Sequence, residues 1–249
     1  MRYLKLIKTL LKTNLFKTIW FNFKMLPFKQ AVKLPFFIYG RMTMRSTKGT
    51  IVLDTGGQVH PGMVKVGKND YYIATSVQRT IWNIRGTLVI QGNTRFMMGS
   101  YLLIADHATL TIGGDEQIFG TNVRILCFDR ITLGKNVRMA WDIQIMDSSF
   151  HYIEMLEKEN RVPQLTEPMS IGDNIWVGNR TTISKGAQLA PWTVVASNSL
   201  VNKDFSGCEP YCLLAGAPAK VKATGMKRIF DVERERALDE QYHYHRTHL

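Results

Sequence analysis

One run of residues constrains the fold more than any other. Ile171, Val177, Ile183, Leu189, Val195 and Val201 fall six apart without a break. Small or polar residues fill the gaps, among them Gly172, Asp173, Asn174, Gly178, Asn179, Ser184, Gly186, Ser197 and Asn198. A fainter set follows four positions on: Ile175, Thr181, Ala187, Thr193 and Ser199. A period of six fits neither an α-helix at 3.6 residues per turn nor a strand alternating at two. It fits a coil of short flat faces, each sending one aliphatic side chain inward and turning on small residues. Three faces close a coil of about 18 residues, and stacked coils pair their backbones at about 4.8 Å.

The step recurs upstream in Leu133, Met139 and Ile145; in Ile125 and Ile131; in Ile112 and Ile118; and in Ile90, Phe96 and Leu102. These fragments are out of register by a residue or two, so bulges or short loops separate them. Chance spacing in a β-sandwich accounts for the fragments but poorly for six consecutive hits. The expected fold is an all-β parallel β-helix over residues 46–205, preceded by a basic arm (1–45) and followed by an extension with a helix (206–249).

Continuing the step from Ile145 lands on His151, yet the ladder resumes only at Ile171. Twenty is not a multiple of six, so the chain leaves the coil after His151 and returns at Ser170–Ile171. The excursion, residues 152–170, is rich in charge and holds Pro163 and Pro168. Long loops on a rigid scaffold commonly carry function. His151 stands at the root of this one, beside Asp147, Ser148 and Ser149. An imidazole titrates near neutral pH and can act as a general base; a satisfied structural histidine is the alternative. His60 and His107 adjoin no comparable loop.

The 32 basic and 20 acidic residues give a net charge of +12. Residues 1–53 hold 11 of the basic residues and no acid, so the excess sits in the arm. Tyr3, Leu4, Ile7, Leu10, Leu11, Leu15 and Ile19 recur at helical steps, with Lys5, Lys8, Lys12, Thr9 and Thr13 opposite. Trp20, Phe21, Phe23 and Phe28 follow, and Pro27 and Pro35 interrupt. Such a segment suits an anionic membrane surface, contacted through residues 1–24, where each lysine can add ~1 kcal/mol. It equally suits a cap on the β-helix with solvated lysines. No recognised nucleic-acid module accompanies the charge, so nucleic acid is not expected as a partner. Lysines interrupt every apolar run, so neither a spanning helix nor a signal peptide is expected.

Cys127, Cys208 and Cys212 offer no disulfide framework and fit a reducing, cytoplasmic compartment, with a peripheral seat at the inner membrane face if the arm binds lipid. A lone C-x-x-x-C is poor evidence for a metal, and none is expected. His243, His245 and His248 cluster near the end of the chain, where a frayed tail is the simplest reading. A Walker lysine motif, a G-x-G-x-x-G and a G-x-S-x-G are all missing, which removes nucleotide hydrolysis, Rossmann redox chemistry and a serine acyl-enzyme from consideration.

The string IGDNIWVGNRTTISKGAQLAPWTVVASNSLVNKD (171–204), then LLAGAPAKV (213–221), resembles the hexapeptide-repeat acyltransferases. The likeness points to the branch of sugar and capsule O-acetyltransferases and extends over roughly residues 50–222. It implies a left-handed parallel β-helix, a homotrimer, and acetyl-CoA sites shared between subunits. It implies direct transfer to a sugar hydroxyl of a polysaccharide or lipid-linked glycan, with His151 as general base. Asp147 is placed to orient that imidazole, as a carboxylate fixes a tautomer, or simply to turn a coil corner. Trp176 matches the wall of the acetyl and pantetheine end. Gly178 and Asn179 match the backbone facing the thioester, although several relatives carry serine at the Asn179 position. Ala196, Ser197, Asn202 and Lys203 match the coenzyme arm, and Pro218 and Lys220 the nucleotide end. Gln188–Trp192 departs from the usual Ile-Gly-Asp pattern. An amino-sugar N-acetyltransferase or transferase of longer acyl groups, and a catalytically silent β-helix scaffold at a membrane, stay open as alternatives. So do bland roles for Trp176 in subunit packing and for Lys203 and Lys220 as solvated charges.

Overall fold

The computed structural model describes residues 9–69 and 74–242. Three parallel sheets of nine, seven and seven strands form a triangular prism. Successive strands visit the sheets in turn, so each sheet gains one strand per coil. Sheet A begins at Phe36–Ile38, sheet B at Met42–Thr47 and sheet C at Thr50–Leu53. The architecture is consistent with the left-handed parallel β-helix that the resemblance implies. Its first strand lies ten residues before position 46, where coils were expected to begin. Its last strands, Leu213–Ala215 and the antiparallel Lys220–Ala223, lie beyond position 205.

Ile171, Val177, Ile183, Leu189, Val195 and Val201 all point inward and are buried. The fainter set is buried too, at the corners, where Thr181 and Ser199 each donate a hydroxyl to the Ala196 carbonyl. Ile171 pairs with Leu189, Val177 with Val195 and Ile183 with Val201, each 18 positions on. Upstream pairs such as Ile125 with Ile145 are 20 apart, and Leu102 with Ile125 are 23 apart. Those extra corner residues are what put the upstream fragments out of register. Their core is also different in kind. Trp82, Phe96 and Phe119 stack at 4.8–4.9 Å between ring centres, filling the wider coils with aromatic volume.

Leu133 pairs with Ile171 across the excursion, 38 positions on. A second insertion lies at the corner between sheets A and B, between the strands Val64–Lys68 and Thr80–Ile84. In its described part Ala74 accepts a hydrogen bond from Thr121 Oγ1, and Ser76 donates to Asn122. The six-residue step does not announce this insertion, because no ladder run brackets it closely.

The arm is not one long amphipathic helix. Residues 9–11 are helical, the chain breaks at 12–14, and a new helix spans Leu15–Met25. Asn14 caps it, accepting from the Lys17 N–H, which ends the earlier run at that point. Tyr3, Leu4, Lys5, Ile7 and Lys8 lie outside the described residues, as do His243, His245 and His248. A helix at Val232–Gln241 closes the described chain, with Asp231 as its cap. No described helix is long and apolar enough to cross a membrane.

Candidate active site

The prism has three corners. The corner between sheets B and C carries the excursion, which leaves after the strand Gln144–Met146 and rejoins at Met169–Ile171. Its root is tied on both sides. The Glu167 N–H donates to the Asp147 carbonyl, and Ser149 N–H to the Leu165 carbonyl. Lys185 holds the far side through the Gln164 carbonyl and a 3.6 Å ion pair with Glu167.

Asp147 is fully buried, and its carboxylate accepts from the N–H groups of Phe128 (2.7 Å) and Asp129 (2.9 Å). Burial pushes this carboxyl above the ordinary carboxylate range, against the pull of those N–H donors. Both oxygens thus accept from the neighbouring turn, and no hydrogen bond joins Asp147 to His151 among the described residues. Asp147 orders the root.

Phe150 has φ +63°, the left-handed region that a bulky residue enters only under constraint. The Ser148 hydroxyl accepts its N–H, the His151 N–H returns to the Ser149 carbonyl, and its ring packs on Phe128 at 5.2 Å. The result turns His151 outward into solvent. A cleft of about 450 Å³ opens on the outer face of sheet B, lined by Phe150, the residue before His151, but not by His151 itself. Arg79 and Gln78 come to the cleft from the second insertion, Tyr101, Arg124 and Gln144 from three successive strands, and Phe128 and Phe150 from the root. An inward ladder does not report these outward positions; the polar and aromatic residues alternating with the inward Leu102, Ile125 and Ile145 were the available signal.

The corner between sheets A and B is built differently. Gly178–Asn179, Ala196–Ser197 and Gly216–Pro218 stack there in successive coils, with a cis bond before Pro218. A Cβ on Gly178 would stand 2.5 Å from the Ser197 nitrogen, so only glycine fits. Ser197 Oγ donates to Asn179 Oδ1 at 2.6 Å. The backbone N–H groups of Asn179 and Ser197 meet no acceptor among the described residues.

The structure therefore gathers Gly178, Asn179, Ala196, Ser197 and Pro218 at one corner. Asn202 and Lys203 lie on the other, below the root of the His151 excursion, with the Lys203 ammonium 5.1 Å from the Phe205 ring. Lys220 opens the antiparallel strand at the edge of sheet A and is exposed. Trp176 faces outward on sheet A, but residues 226–230 cross it. The Arg228 guanidinium lies 5.0 Å over the indole and 4.9 Å over Phe230. Within one chain, the width of sheet B separates His151 from the Gly178 column. Among the described residues no cluster of His, Cys, Asp and Glu could hold a metal.

The molecule is thus a three-sided parallel stack with an exposed histidine at the root of its longer described excursion. No family model matches the chain. An uncharacterised 24.8 kDa protein of the cps region of Klebsiella pneumoniae is 32 % identical over 139 residues, 56 % of this chain and 59 % of that protein. The galactoside O-acetyltransferase of Escherichia coli K12 is 27 % identical over 100 residues, 40 % of this chain and 47 % of the enzyme. A hexapeptide-repeat acetyltransferase of Vibrio cholerae, crystallised with acetyl coenzyme A, is 27 % identical over 46 % of this chain and 60 % of its own, with a TM-score of 0.38. The chain thus spans about half the length of the curated relatives it matches. Relatives of this chain are acetyltransferases, in line with the resemblance read from residues 171–221.

Proposed function

We propose that the protein is an acetyl-CoA-dependent O-acetyltransferase acting on a sugar hydroxyl of a polysaccharide or lipid-linked glycan. The observation that carries the reading is the exposed His151 at the root of an excursion tied on both sides, next in the chain to Phe150, which lines the cleft. The imidazole would take the proton of the acceptor hydroxyl as that oxygen attacks the thioester carbonyl. The carbon–sulfur bond then breaks and the coenzyme leaves as the thiol. The Asn179 and Ser197 N–H groups are suited to the oxyanion that forms, lying in successive coils of one corner and without acceptors among the described residues. A positioned base supplies roughly 10²–10⁴-fold, and bringing acceptor and thioester together supplies much of the rest.

Because a sheet's width separates His151 from the Gly178 column, the complete site requires two copies of the chain. A homotrimer, each copy lending one corner to its neighbour, satisfies this. The excursion offers a surface for such a contact, since Tyr152, Ile153 and Leu156 are exposed at 74, 64 and 76 %. Acetyl-CoA would run along the Gly178–Ser197–Pro218 column toward Lys220, with Asn202 and Lys203 contributed across the interface. Trp176 would meet it only along the edge that Arg228 and Phe230 leave open. The arm would hold the assembly peripherally at a membrane face.

The test is release of coenzyme thiol from acetyl-CoA across a panel of glycans. Turnover that His151→Ala abolishes without dissolving the oligomer supports the reading. Unchanged turnover in that variant removes His151 from the mechanism. Preference for an amino sugar over its hydroxyl analogue would move the assignment to N-acetylation.

A further inference from the structure

The helix Leu15–Met25 has two apolar faces, and the fold uses only one. Thr18, Phe21, Asn22 and Met25 are buried. They lie along the free edge of the first strand, Phe36–Ile38. Asn22 accepts the Phe36 N–H and donates to the Phe36 carbonyl, and Thr18 Oγ1 accepts the Ile38 N–H. Phe21 enters the end of the core against Phe36 and Trp82. The helix thus takes the place of the missing strand and seals the edge. Asn22 and Thr18 are polar because they face backbone groups rather than solvent.

Around the helix at 100° per residue, Leu15, Phe16, Ile19, Trp20 and Phe23 fall on the side turned away from that edge. They carry no partner role in the end cap, and Phe16 is 79 % exposed. Phe28 continues the patch at 73 % exposure, its ring 6.0 Å from Phe23. Five apolar side chains on about two and a half turns of surface, three of them aromatic, are unusual for a face left in water.

The charge around the patch says what covers it. Lys24 falls beside it around the helix, and Lys12, Lys29 and Lys33 are exposed on the flanking segments, while residues 1–53 contain no acid. A second copy of the same face would set these lysines against one another. An anionic surface with an apolar interior accepts both the rings and the ammonium groups. We propose that this outer face, Leu15 to Phe28, is the lipid-docking surface of the protein. The helix lies flat at the headgroup level of an anionic bilayer, with the β-helix standing on it end-on. The arm is then cap and anchor together, with opposite sides of one helix serving each.

Co-sedimentation of the full chain with vesicles tests this. Binding to mixed phosphatidylcholine–phosphatidylglycerol vesicles should exceed binding to phosphatidylcholine alone by about tenfold or more at low salt, and the excess should shrink as salt is added. The double variant Phe16→Ser/Phe23→Ser should lose about tenfold or more in binding, as two rings leave the lipid. Its melting temperature should stay close to the wild type, because Thr18, Phe21, Asn22 and Met25, which make the cap, are untouched. Lys24→Glu/Lys29→Glu should abolish the anionic preference while leaving the weak binding to neutral lipid. Equal binding by the Phe16/Phe23 variant overturns the proposal. So does a wild-type chain that ignores vesicles but self-associates through this face, shown by a smaller assembly in the same variant. The measurement needs no acyl transfer, so its outcome is independent of the enzymatic reading.

Discussion

Two corners of the prism solve opposite problems. At the corner between sheets A and B, three successive coils turn within a few residues on Gly178–Asn179, Ala196–Ser197 and Gly216–Pro218. Nothing larger than hydrogen fits at Gly178. At the corner between sheets B and C, the chain departs for about twenty residues and returns in register, Leu133 finding Ile171 as if nothing had intervened. The first corner is defined by its neighbours above and below. The second is defined by a few anchors at its root, chiefly Asp147. A stacked coil can therefore keep one edge invariant and spend another on chemistry, because register is set by the sheets and not by the corner between them.

That contrast can be broken most directly at His151. On the enzymatic reading, His151→Ala should cut turnover by roughly 10²–10⁴, equivalent to about 3–5 kcal/mol of barrier, with melting temperature unchanged. A parallel loss of stability would mean that the residue is structural. Asp147→Ala should instead unsettle the root by about 2–4 kcal/mol in urea unfolding, because two N–H groups lose their acceptor in a buried site. Asp147→Asn separates charge from shape. The native carboxyl sits above its unfolded value, so the folded protein binds more protons there, and this group's contribution makes stability fall as pH rises between the two values. The amide variant should remove that slope.

At the tight corner, Gly178→Ala should cost about 1–3 kcal/mol, as the new methyl drives the Ser197 backbone aside. It should also raise KM for acetyl-CoA if the column holds the coenzyme. The smallest effect is expected from Asn179→Ala, below about 1 kcal/mol, since its bond to Ser197 Oγ is exposed. A large activity loss there, with KM unmoved, would show that the side chain and not only its N–H serves the reaction.

The inward ladder was legible because a six-residue repeat leaves the same side chain facing the core at every step, so Ile171 to Val201 could be placed by counting. That the count fails at His151 was legible for the same reason, although the strand itself already ends at Met146. The arm was harder. Leu10, Leu11, Leu15 and Ile19 keep helical spacing through a real break, because spacing does not register that Asn14 can cap a new helix. The role of Asp147 was hidden, since its partners are backbone N–H groups of a coil one turn earlier, which no side-chain pattern reports. The strap over Trp176 was hidden likewise: Arg228 and Phe230 read as tail residues until the chain folds back across sheet A. The cleft drew on Arg79 and Arg124, distant in sequence and joined only by stacking.

The end-capping helix has a geometric corollary. Five strands of sheet B separate its level from the histidine, Met42–Thr47 being the first and Gln144–Met146 the fifth. Four steps at about 4.8 Å raise the imidazole roughly 19 Å along the axis. A protein seated on lipid by its closed end would hold its chemistry at that fixed altitude. The hydroxyl it modifies would then belong to a unit some way out from the anchoring lipid, and the coil count between cap and excursion would act as the ruler that selects it.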